Sequence, residues 1–308
     1  MITSAHLGAQ QLGSIAQMGS VNYFFNPAAI EIGELDLHDH IFETDMLYRQ
    51  QWASFEGAPQ TAILGVRYQN YEKRMSLSGF IAHDQFGLST YNQIQIGYSY
   101  QLPLDRWGRS GLSMGLYFAG SQYRIDGSRI DVIEEADPLL SNAMQSKMFP
   151  SLGLGVFYYK KLDTYSTESI LFAGISGEQV IPVDVRFEGL NGEQGNLKRE
   201  PHFHTFAGFQ KYYSVKDYFE PVLWVSKTFW SPLHLNGMIR ATFLEQRMSF
   251  GAGLSSEFQY YFEVGFQMIP SFKINYGVSS FMRETMAQQT GMSHEIILSY
   301  QFMSGGFN

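Results

Sequence analysis

The 308-residue chain contains no cysteine, which removes disulfide frameworks, thiolate metal sites and thiol nucleophiles together. Charge is scarce as well: Asp, Glu, Lys and Arg make up 16% of the residues, against about a quarter in soluble globular domains. Lys and Arg are never clustered and the net charge is -8, so no nucleic-acid partner is expected, because phosphates need grouped basic side chains. Long hydrophobic runs are missing too. A transmembrane helix needs about 20 mostly apolar residues, and the longest uncharged stretch, Gln85 to Leu104, is full of Gln, Asn, Ser and Tyr. The first twenty residues also lack the basic region, apolar run and cleavage site of a secretory signal. The expectation is that a signal was removed before this numbering begins or that there was none.

What the chain has in abundance is aromatic residues, 16%, and glycine, 30 residues, arranged with a period of two. That period places alternate side chains on opposite faces of a strand. In QIQIGYSY, Ile94, Ile96, Tyr98 and Tyr100 share one face, and Gln93, Gln95, Gly97 and Ser99 the other. In GLSMGLYF and SLGLGVFYY the second face is again small or polar. The alternation predicts strands near 44–53, 61–69, 74–83, 92–102, 111–123, 151–160, 169–177, 203–211, 222–230, 234–243, 247–256, 259–268, 272–281 and 294–302. Fourteen strands, an even number and each of about 9 residues or more, suit an all-β transmembrane antiparallel β-barrel. On this reading the aromatic face meets lipid and the small, polar face lines a lumen.

Connection length supports the barrel independently. Long connections, 124–150 and 178–202, fall on the odd side of the strand count, and the even side carries mostly short turns, as in barrels with short inner turns and long outer loops. Residues 44–308 are assigned to the barrel. Residues 1–43 fall outside the alternation and are assigned to an N-terminal segment, either periplasmic or a lumen plug.

Three motifs then occur in order along the chain. YFFNPAAIE carries Asn26 and Pro27; YRQQWASFEGAPQTAILGV carries Arg49, Gln51, Trp52, Gly57, Pro59 and Thr61; GMSHEIILSY carries Gly291, Ser293, His294 and Glu295. With them the chain resembles the PorP/SprF family of Bacteroidetes outer-membrane proteins, across nearly its whole length. It departs from the family pattern at Met292 and in the charged stretch EIGELDLHDH. The resemblance implies a barrel of the type IX secretion and gliding machinery in the cell outer membrane. Its implied partner is a secreted adhesin with a type-B C-terminal domain, which the barrel binds, helps to export and anchors. Further implied partners are a periplasmic peptidoglycan-binding lipoprotein and other secretion components. The sequence alone leaves a different class open, a passive channel or hydrophobic-solute transporter.

Strand parity places the second and third motifs together. First and last strands are neighbours in a closed barrel, so both motifs are expected at the outer mouth beside the closing seam. Arg49 and Gln51 are read as lumen donors with Asp45 on the same face, Tyr48 and Trp52 as lipid-facing belt aromatics, and Glu295 as a partner for Arg49. Two readings stay open: these residues pin the closing register, or they hold a client peptide. His202 with His204, and His38 with His40 around Asp39, have donor types that suit zinc but no third ligand at fixed spacing, so no metal and no cofactor is expected. Ser293, His294 and Glu295 are adjacent on a strand and point to alternate faces, so no hydrolase relay and no enzyme is expected. The long acidic loop, with Asp137, Pro138, Leu139, Leu140 and Phe149, is read as a folded contact surface.

Overall fold

The structure is a computed structural model that describes residues 21–32, 40–126, 144–164, 167–188, 194–214, 216–229 and 231–302. Its strands are β1 (His40–Gln50), β2 (Gln60–Asn70), β3 (Met75–Phe86), β4 (Ser89–Pro103), β5 (Ser110–Ile125), β6 (Met144–Ser146), β7 (Phe149–Thr164), β8 (Thr167–Glu178), β9 (Val183–Glu188), β10 (Gln194–Arg199), β11 (His202–Tyr212), β12 (Tyr218–Thr228), β13 (His234–Phe243), β14 (Met248–Ser255), β15 (Gln259–Ile269), β16 (Phe272–Phe281) and β17 (Ser293–Phe302), with one helix, α1 (Glu284–Thr290). Fourteen long strands pair antiparallel in chain order, and β1 joins β17 through nine residue pairs from Phe42↔Phe302 to Gln50↔His294, closing the barrel. Closure matters physically because no edge strand is left with unpaired backbone groups, which lipid could not satisfy.

The pleat sorts the side chains as the alternation requires. On β4, Ile94, Ile96, Tyr98 and Tyr100 lie on the outer surface, while Gln93, Gln95 and Ser99 are buried within. Ile96 is 67% exposed and Phe118 59%; a continuous apolar surface of this kind is far larger than soluble monomers tolerate and is stable only against lipid. No helix among the described residues is long and apolar enough to cross a membrane; the strands do so.

The interior departs from the sequence expectation in one respect. Tyr117, Phe157, Tyr159, Phe172, Phe206 and Trp224 all point inward and are buried, although aromatic residues were assigned to the lipid face. Each needs an apolar partner inside the lumen, and two features supply it. Tyr117 lies over Gly153, Tyr159 over Gly111 and Phe172 over Gly208, so rings fill the space that missing side chains on the next strand leave. Residues 21–32 provide the rest.

The long connections, 126–148 and 179–201, leave from one end of the barrel, and the opposite end carries short turns such as 71–74 and 244–247. The long-loop end is therefore the outer one. There β9 and β10 form a hairpin, Val183↔Arg199 to Glu188↔Gln194, which β6 ties to the end of β5. Val185 of the hairpin packs with Tyr91, Phe149 and Tyr123, so the hairpin folds over the mouth on the β4–β7 side.

Candidate functional site

The segment 21–32 begins with a 3-10 turn, Asn22–Phe24, and touches strands all around the barrel. Phe24 meets Phe80 of β3 edge-on at 5.2 Å, and Phe25 meets His204 of β11 at 5.6 Å and Trp224 of β12 at 6.0 Å. Only a segment inside the lumen can reach β3, β7, β11 and β12 together. Phe24, Phe25 and Ile30 are almost wholly buried, and burial of such side chains contributes about 2 kcal/mol each.

Polar contacts fix its height. Asn26 donates through Nδ2 to the carbonyls of Val156, 3.1 Å, and Ile175, 3.5 Å, and its Oδ1 accepts the Ala28 N–H at 2.9 Å. This approach requires glycine in the wall: a Cβ at Gly115 would stand 2.6 Å from Ala28 N, and one at Gly155 would overlap Asn26 Oδ1. Lower down, Tyr23 donates to Asp45 at 2.7 Å. The Arg67 guanidinium lies 5.0 Å from the Tyr23 ring, 3.2 Å from Glu31 and in contact with Glu43, and the Glu31 N–H donates to Gln69 at 3.0 Å. A buried arginine shared by two carboxylates and a ring is a specific lock, because removal of the guanidinium would leave both carboxylates without their cation.

The segment splits the remaining space in two. Below it, a cavity of about 170 Å³ is lined by Glu31, Glu43, Glu220, Arg240 and Lys273. Arg240 spans two carboxylates there, Glu263 at 2.5 Å and Glu220 at 3.3 Å. Above it, an outer vestibule of about 560 Å³ opens between the hairpin and the seam, lined by Phe25, Arg49, Gln51, Trp52, Pro59, Thr61, Asp84 and further residues of β8, β11–β13, β15 and β16.

The two seam motifs meet at that vestibule. The Trp52 N–H donates to Ser293 Oγ at 3.1 Å, that of Ala53 to the Met292 carbonyl at 2.9 Å, and that of Ser54 to the Thr290 carbonyl at 3.3 Å. Gln51 and Pro59 close the base of the 51–59 turn at 2.9 Å, and Gly57, with φ 71°, accepts the Gly87 N–H at 3.1 Å. Gly291, at φ 69°, ends α1. Across β17, β1, β2 and β3, Glu295, Arg49, Thr61 and Asp84 are register partners in turn. They form one inward row in which Thr61 Oγ1 donates to Asp84 at 2.7 Å.

Other positions fall elsewhere. Trp52 is not a belt aromatic: β1 ends at Gln50, and Trp52 takes a left-handed backbone with φ 55°, which turns its ring into the vestibule. Once the strand has ended, strand parity no longer governs its direction. His294 faces outward and shares a hydrogen bond with Tyr276 at 2.7 Å, while Ser293 and Glu295 face inward. His202 and His204 line the vestibule, with His204 bonded to Ser226 at 2.9 Å and 3.7 Å from Glu178. No three His, Asp or Glu side chains converge for a metal among the described residues. Phe149 is the first residue of β7 and stacks on Tyr123 at 5.8 Å beneath the hairpin. Asp137, Pro138, Leu139, Leu140 and His38 lie outside the described residues. The sequence reading missed the roles of Asn26 and of the inward aromatic cluster. The available signal was an Asn-Pro turn opposite strands with glycine on their inward face.

A family model described as Type IX secretion system membrane protein PorP/SprF matches residues 7–300. No curated protein sequence matches the chain. Among solved structures, the Ralstonia pickettii toluene transporter TbuX aligns with a TM-score of 0.52 at 10% identity, over 90% of this chain and 91% of that one. CdiB from Acinetobacter baumannii aligns at 0.46 and 8% identity, over 86% of this chain and 60% of CdiB, so the chain spans less than two thirds of that protein. The P. putida toluene transporter TodX aligns at 0.45 and 9% identity, over 90% of this chain and 92% of that one. At 10% identity, what the chain shares with TbuX is the barrel fold.

Proposed function

Because the chain belongs to the PorP/SprF family of type IX secretion system membrane proteins, we propose that this outer-membrane barrel binds, helps to export and anchors a cell-surface adhesin through the adhesin's type-B C-terminal domain. One observation supports an anchor above all: the lumen is filled by residues 21–32, bonded to the wall at Asn26, Tyr23 and Glu31. A barrel with an occupied lumen offers a client its outer mouth. That mouth has a concave vestibule, an aromatic wall and a hydrogen-bonded seam. The inner end, with its charged cavity around Arg240 and Lys273, is the face for a periplasmic peptidoglycan-binding lipoprotein or other secretion components.

The test replaces Arg49 by alanine in cells that display the adhesin. Barrel assembly is expected to persist while adhesin is released from the surface into the medium. Unchanged surface display with normal barrel levels would sink the reading. The competing class, a passive channel or hydrophobic-solute transporter, requires a continuous path; substantial single-channel conductance of the native barrel in planar bilayers would favour it.

A further inference from the structure

We propose that the outer vestibule is a carboxylate-binding pocket, in which the Arg49 guanidinium receives a carboxylate whose neighbouring apolar group lies among Trp52, Phe86, Phe281 and Met286. In its peptide form, where the carboxylate is a polypeptide C-terminus, the proposal rests on the client-holding reading of this mouth. Arg49 is 3% exposed and lines the cavity, and its Nη1 has no hydrogen-bond partner among the described residues. A guanidinium stays charged at any relevant pH and presents paired donors whose spacing matches a carboxylate. Buried donors of this kind are ordinarily satisfied.

The surrounding groups narrow the ligand. Glu295 stands opposite Arg49 across the seam, and Asp84, two strands away along the same row, takes the Thr61 hydroxyl at 2.7 Å. These carboxylates offset the charge of Arg49 and allow its burial. The other ionisable groups in the wall, His202 apart, have partners of their own. Glu257 faces His234 at 3.0 Å and Gln259 at 3.4 Å, Glu178 faces His204 at 3.7 Å, and Lys227 donates to the Ser231 carbonyl at 2.5 Å. Hydrogen-bond demand is thus concentrated on Arg49 and calls for an acceptor. Three carboxylates in the wall, Asp84, Glu178 and Glu257, disfavour a doubly charged phosphate or sulfate, so a singly charged planar acceptor fits best. The volume, about 560 Å³, lies in the range of pockets that enclose a small molecule or a few residues of a peptide.

The experiment titrates the purified full chain in detergent micelles by calorimetry. One arm compares acetyl-Gly-Phe as the free acid with its C-terminal amide; the other compares hexanoate with hexanamide. In at least one arm the acid is expected to bind tenfold or more tightly than the amide. Arg49→Gln should abolish that preference, and Arg49→Lys should retain part of it. The arm that responds identifies the source, a polypeptide C-terminus or a small aliphatic acid. Equal binding of acid and amide in both arms, no binding in either, or an acid preference that survives in Arg49→Gln overturns the pocket. The wild-type comparison needs no variant, and heat-modifiable migration on gels reports whether the variants fold. If an acid binds but no adhesin co-purifies from native membranes, the anchoring reading falls and the pocket stands. If adhesin is retained while acid and amide bind alike, the reverse holds.

Discussion

Asp105 illustrates how much a single side chain organises at the inner rim. In the 104–109 turn its Oδ1 accepts the N–H groups of Trp107 and Arg109, both at 2.9 Å, and its Oδ2 accepts the Ser110 hydroxyl at 2.5 Å. These donors, Ser110 first, favour the ionised form and hold the carboxyl down from 3.8 to about 2. A depressed value means that the contribution is fully present above the ordinary carboxylate pKa and is lost as pH falls through about 2. Asp105→Asn should therefore speed hydrogen exchange of the Trp107 and Arg109 amides, after correction for intrinsic rates, at pH 6. The variant and native protein should draw together as pH falls through about 2 and converge by about pH 1; a full difference that persists there would contradict the assignment. Trp52 is the contrasting residue. Its neighbours in sequence suggested a lipid-facing ring, and a single left-handed backbone conformation directs it into the vestibule.

Among the elements, the β9–β10 hairpin depends on Arg199 more than on its own pairing. A two-stranded ribbon is marginal alone, and this one is fastened to the mouth because Arg199 lies 5.1 Å from the Tyr91 ring and 5.5 Å from that of Tyr123, with Nε donating to Gln179 at 2.8 Å. A desolvated guanidinium over aromatic rings contributes about 2 kcal/mol, which corresponds to about 30-fold in a local opening equilibrium. Arg199→Ala is expected to raise hydrogen exchange over 183–199 by that order and leave β1–β5 unchanged. Equal exchange in both proteins would show that the hairpin is held by Val185 and its neighbours alone. The seam between β1 and β17 is a second such element, because its backbone bonds continue from the strands into the 52–54 and 290–293 turns.

For the whole molecule the decisive feature is the occupied lumen. Gly155→Val places a branched side chain where Asn26 now sits, and the wall cannot yield without breaking the pairing of β7 with β5 and β8. The segment 21–32 should be displaced, and the variant should show clearly larger single-channel conductance in planar bilayers than the native barrel. Conductance unchanged by Gly155→Val, in a variant that still folds, would mean that the segment can reseat without Asn26 in its niche.

The sequence by itself determined the barrel. All fourteen strands were legible within a few residues, because lipid outside and a close-packed interior impose alternation on every strand. β1 was shifted by four residues at its start, 40 against 44, since its inward Glu43, at the end of a charged stretch, read as loop until Arg67 is seen to answer it. Chain order and closure likewise made the meeting of the second and third motifs predictable. Only the tertiary structure decided what fills the barrel. The contacts of Asn26 with Val156 and Ile175, of Phe25 with Trp224, and of Arg199 with Tyr91 join residues far apart in the chain. No local period encodes such contacts; they follow from which inward positions lack a side chain and which groups remain to occupy that space.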